Sequence, residues 1–154
     1  MSYKAIQPIW RVVRDRFQKT IQGLQEEELS LSMSPDSSSI GHMIRHNAEV
    51  EYMFAELFFG ASKPEGINYI ASGKGGSQEE AAFQLEELIA FSTASDAYLT
   101  TAMQQIAAEA WDAIIASPIG PSTPREALGR AIYHTGLHAG QIAIIRKHSP
   151  LLSK

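Results

Sequence analysis

The chain has 154 residues, 13 basic against 17 acidic side chains, and no cysteine. Lack of cysteine excludes a disulfide framework, an iron–sulfur cluster, a thiolate zinc finger and a cysteine nucleophile, so any metal must be held by His, Asp, Glu or backbone oxygen. A net charge of −4 argues against nucleic acid as a main partner, while 44% hydrophobic residues suffice for the core of one domain over 1–154.

No run approaches the ~18 apolar residues of a membrane span. Met1–Phe17 carries Arg11, Arg14, Asp15 and Arg16 inside its apolar repeat, unlike a signal peptide, and a cytoplasmic location is expected. The basic stretches Arg11–Arg16 and Arg146–Lys147 read as solvated helix faces.

Apolar residues recur at steps of three and four through four stretches. In the first they are Ile6, Ile9, Trp10, Val13, Phe17, Ile21 and Leu24, with Pro8 expected in the first turn and the helix fading by Leu29. The second opens behind Ser39 as N-cap, carries Ile40, Met43, Ile44, Val50, Phe54, Leu57 and Phe58, and stops at Gly60. A Ser77/Glu80 capping box predicts the start of the third, whose stripe is Leu85, Leu88, Ile89, Leu99, Met103 and Ile106. In the fourth, Thr123 caps, Pro124 takes the first helical position and Glu126 closes the box. Leu128, Ala131, Ile132, Ala139, Ile142 and Ile145 follow, with Pro150 past the end.

The connections Gly60–Gly76 and Trp111–Ser122 are too long for tight helical hairpins, and Ile67–Ala71 could form a short strand. Gly73-Lys74-Gly75-Gly76-Ser77 lacks P-loop spacing and reads as a linker. Gly136 and Gly140, one turn apart, are expected to allow close helix approach. The fold class is all-α, a four-helix bundle with room for a non-sequential helix order.

Of the histidines His42, His46, His134, His138 and His148, three fall on the flank of a core stripe. His134 and His138 stand one turn apart, about 6 Å along the axis, and His46 lies level with Met53 and Leu57 on the second helix. His42 is further round, nearer solvent, and His148 sits at a helix C-terminus, where a cation is favoured. Spacing alone leaves two readings open: three imidazoles around one metal with an open fourth position, or ordinary helix-flank histidines. Thr135 stands where H-E-x-x-H needs its glutamate, and no Glu lies three residues before any histidine, so zinc-protease and di-iron patterns are absent.

The run Ser39-Ile40-Gly41-His42-Met43-Ile44-Arg45-His46, followed 88 positions later by His134-Thr135-Gly136-Leu137-His138-Ala139-Gly140-Gln141-Ile142, resembles the DinB/YfiT-like superfamily across essentially the whole chain. That resemblance implies an up-down-down-up bundle, often dimeric, with His46, His134 and His138 as ligands of one divalent metal and water completing the shell. Zinc or nickel is expected first, then iron or manganese. Where many members carry an acidic residue early in the second helix this chain has His42, a conceivable competing ligand; Glu49 and Glu51 receive no role. Characterised members include transferases that use low-molecular-weight thiols such as bacillithiol or mycothiol, and a maleylpyruvate isomerase. The expectation is therefore a metal-dependent transferase joining such a thiol to an electrophilic small molecule. The alternatives are a hydrolase using bound water, and a non-enzymatic stress-response homodimer with structural or no metal. No catalytic residue beyond the ligands is assigned.

Overall fold

The computed structural model describes residues 2–72 and 83–149. Four long helices carry the fold: α1 (Tyr3–Gln22), α2 (Ile40–Phe59), α3 (Leu85–Gln105) and α4 (Pro124–His148), with 3-10 turns at Glu26–Ser30 and Ala108–Asp112. Around the bundle the neighbours run α1, α3, α2, α4. The diagonal pairs α1/α2 and α3/α4 are therefore joined across an end, each by a connection holding one 3-10 turn. Beyond the helices, the described residues show one isolated antiparallel bridge, Ile115 to Ser122.

The expected caps form at three helix ends. Ser39 Oγ accepts the His42 N–H at 3.2 Å, and Gly60 ends α2 in the left-handed region at φ 68°. Thr123 and Glu126 close a reciprocal capping box ahead of Pro124. Gly41 is needed for another reason: a Cβ there would lie 3.2 Å from the Phe83 ring and 3.3 Å from the Leu29 carbonyl. Its absence lets the first connection cross the start of α2, where the Ile40 N–H reaches the Leu31 carbonyl.

Five expectations are corrected. The third helix opens at Leu85 with Gln84 as N-cap; Ser77 and Glu80 lie outside the described residues, as does the whole run Gly73-Lys74-Gly75-Gly76-Ser77. Pro8 falls in the second turn, because α1 starts at Tyr3; the carbonyl it orphans is that of exposed Lys4, which water can satisfy. Ile67–Ala71 is no strand, since buried Glu49 takes the N–H groups of Ile70 and Ala71. Gly136 and Gly140 face open space, a Cβ at either meeting nothing within 4 Å. Lastly, the basic residues are not all solvated: Arg14 is fully buried, and Arg146 pairs with buried Glu28 at 2.6 Å.

That burial of Arg14 belongs to a polar layer through the middle of the bundle. Each helix interrupts its apolar stripe there: Arg14 on α1, Asn47 and Glu51 on α2, Ser92 and Ser95 on α3, Thr135 on α4, all nearly inaccessible. Arg14 Nε lies 2.8 Å from Glu51 Oε1, and its Nη2 donates to Ser92 Oγ at 2.6 Å. Ser95 Oγ donates to Glu51 Oε2 at 2.6 Å. Above and below lie two separate hydrophobic clusters, one around Trp10, Phe54, Leu99 and Trp111, the other around Phe17, Ile44, Leu88 and Ile142.

Candidate metal centre

α2 and α4 are neighbours, and where they meet beside the polar layer His46, His134 and His138 come together. One ring nitrogen from each lies within 4.8 Å of the others. Ring centroids are 4.5 Å apart for His134 and His138, 4.8 Å for His46 and His134, and 5.5 Å for His46 and His138. His42 lies outside this group, its ring stacked 6.4 Å from His46.

Each of the three Nδ1 atoms is engaged by an oxygen. His134 Nδ1 faces Asn47 Oδ1 at 3.2 Å, His138 Nδ1 faces Gln141 Oε1 at 2.8 Å, and His46 Nδ1 faces Ser72 Oγ at 2.9 Å. Amide oxygens only accept, so Nδ1 of His134 and His138 carries the proton and Nε2 keeps a bare lone pair. Asn47 cannot turn the other way round. Its Nδ2 donates to Glu51 Oε1, an atom already held by the Arg14 guanidinium, while Thr135 Oγ1 donates to the same Oδ1 at 3.1 Å.

The two bare Nε2 atoms face each other at 3.2 Å. Two lone pairs at that distance repel unless a cation lies between them. One tetrahedral ion with metal–nitrogen bonds of about 2.0–2.1 Å places its ligands roughly 3.3 Å apart, so this pair has the spacing of two ligands of one ion. The residues present fit a divalent metal.

Electrostatics point the same way. Burial, then the neighbouring His138 and His46, lowers the His134 pKa to about 3. Burial also lowers His46 and His138, against partial opposition from Glu49 on the first and Gln141 on the second. Neutral imidazoles are the form a metal binds. In the metal-free protein the sign follows from linkage: an unfolded histidine, near 6.5, takes up a proton that folded His134 refuses until about 3. Stability is thus fully present above the unfolded value and falls as pH drops from about 6.5 toward 3. Urea midpoints of chelated protein should be lower at pH 5 than at pH 7, with a smaller drop in His134→Gln; equal drops would show that His134 is not responsible.

Sequence reasoning missed the groups that orient these rings. Glu49, fully buried, accepts Arg45 Nε at 2.8 Å and the N–H groups of Ile70 and Ala71, and Arg45 also reaches the Asn68 carbonyl. Together they tie segment 68–71 to α2 and bring Ser72 to His46. Gln141 was visible within the Gly140-Gln141 pattern, and its role is now physical: one turn beyond His138, it fixes that ring.

Beside the cluster opens a cavity of about 510 Å³, in the range of small-molecule sites. His46 and His134 form one wall, and Val50, Met53, Phe54 and Ile119 an apolar one.

Comparison with known proteins agrees with the four-helix fold. The DinB superfamily profile matches residues 9–142. A DinB-like protein from Bacillus cereus ATCC 10987 superposes with TM-score 0.70 at 16% identity, covering 95% of this chain and 91% of that one. A second, the DinB-like YjoA of Bacillus subtilis, gives TM-score 0.65 at 18% identity, covering 90% and 87%. No curated protein matches.

Proposed function

Because the chain belongs to the DinB superfamily, we propose that it is a metal-dependent enzyme in which His46, His134 and His138 hold one divalent ion, and that it transfers a low-molecular-weight thiol to an electrophilic small molecule. The observation that carries the reading is the convergence of three neutral rings, each with Nδ1 held by an oxygen. Orienting partners of this kind fix the tautomer of metal-ligating histidines and raise their basicity. A divalent ion with three neutral ligands supplies a Lewis acid that lowers the pKa of a thiol or of water.

The chain itself has no thiol, so a sulfur nucleophile must arrive with a substrate. In the overall reaction a sulfur–carbon bond forms, the electrophile's leaving group departs and the thiol proton goes to solvent. What the protein contributes is positioning: the polar layer keeps Asn47 against His134, Glu49 keeps the Ser72 segment against His46, and the cavity sets an apolar wall beside them.

Protein purified without a histidine tag and loaded with zinc or nickel should consume an aryl halide only when a low-molecular-weight thiol is added. Turnover without thiol would replace this reading by the hydrolase. A large chelation-induced drop in melting temperature with no turnover at all would favour a structural metal.

A further inference from the structure

The cavity beside the histidines contains a formal charge that no carboxylate among the described residues answers. Of the seven arginines, Arg11, Arg14, Arg45, Arg125 and Arg146 each pair with a carboxylate within 4.0 Å, and Arg16 lies exposed on the surface of α1. Arg130, on the cavity wall, pairs with none among the described residues, and no acidic side chain lines the cavity. Its guanidinium instead lies over the Phe54 ring, 5.5 Å from the centroid. An aromatic face steadies the plane and leaves the edge N–H groups free, the geometry that grips a planar carboxylate with two parallel hydrogen bonds.

We infer that this cavity takes a small molecule with one carboxylate on an apolar body, the carboxylate on Arg130 and the body against Val50, Met53, Phe54 and Ile119. This rests on the proposed enzymatic reading and adds the substrate class to it. Three features select the class. One cation balances one negative charge, whereas a phosphate dianion would leave charge uncompensated against an apolar wall. The volume suits a molecule of a few rings at most. Finally, Arg130 and His134 are four residues apart on α4, about 6 Å along the axis. A carboxylate held at Arg130 therefore directs atoms a few bonds away toward the histidines, and the reacting carbon should lie that far from the acid group.

Hydrocinnamate and its uncharged amide are suitable probes, titrated by calorimetry into metal-free and zinc-loaded protein, wild type and Arg130→Met. The substituted side chain is exposed, so the fold should survive, and circular dichroism checks it. Hydrocinnamate should bind both forms of the wild type. Arg130→Met should weaken it about tenfold or more, as loss of a charge-assisted hydrogen bond does, and leave the amide unchanged. Equal affinity for acid and amide, or an acid affinity indifferent to Arg130→Met, overturns the inference. So does binding of the acid to zinc-loaded protein alone, which would place the carboxylate on the metal. If the protein takes up no zinc, the enzymatic reading fails by itself, while the metal-free titration still decides the role of Arg130.

Discussion

His138→Ala should bring the metal content of purified, zinc-loaded protein from about one ion per chain to a trace, with the helical signal intact. Loss of one orienting partner of a metal-bound histidine typically weakens affinity about 10- to 100-fold, and loss of the ligand itself should exceed that. His134→Ala and His46→Ala should behave alike, because one nitrogen from each of the three rings lies within 4.8 Å of the others. Gln141→Leu should fall in the 10- to 100-fold range, since it frees the His138 ring without removing a ligand. His42→Ala should change little: its ring stacks 6.4 Å from that of His46 and is not part of the cluster. Elemental analysis and competition titration against a zinc chelator measure all five. A wild type that holds no zinc, or a His138→Ala protein that holds as much, would remove the metal centre.

Most of the fold was legible in the sequence because helix periodicity and capping are local. Leu88, Leu99 and Met103 on α3, and Leu128, Ala131, Ile142 and Ile145 on α4, are buried as their spacing predicts. The Ser77/Glu80 pattern misplaces the start of α3, since a capping box scores four residues whatever the chain does afterwards. Ile9 was assigned to the core stripe but is 58% exposed; the residue in register with Trp10 and Phe17 is Arg14. Reading charge at a core position as a solvated face overlooks its place in the repeat, which is the stronger signal. The same gap occurs at Asn47 and Glu51 between Ile44 and Phe54, and at Ser92 and Ser95 between Leu88 and Leu99. Polar residues where the repeat calls for apolar ones, at matching positions on several helices, are the mark of a buried network. The three clustered histidines could be found because they sit one step off the stripe. Their orienting partners could not, because Asn47 serves a ring 87 positions away and Ser72 is brought in by a loop.

Arg14→Met should be the most damaging single change, destabilising the protein by about 3–5 kcal/mol, the usual cost of leaving one member of a buried ion pair without the other. Against a total stability of about 5–15 kcal/mol, that is a large fraction. Burial pushes the Glu51 carboxyl above its ordinary range, and Arg14 and the Ser95 hydroxyl pull it back. Without the guanidinium the acid must either ionise unpaired or bind a proton. Removing both charges is different: Arg14→Met with Glu51→Met replaces the pair by apolar volume between two existing apolar clusters, and most of the lost stability should return. The metal site should not recover with it. Asn47 Nδ2 then has no carboxylate to hold, the amide is free to turn, and His134 loses the acceptor that keeps its proton on Nδ1. Urea unfolding and zinc titration of the single and double variants separate the two effects: stability restored with zinc affinity still about 10- to 100-fold down. A double variant that regained both would show that the polar layer packs the bundle without orienting the histidine. A single variant costing under about 1 kcal/mol would show that the pair is dispensable.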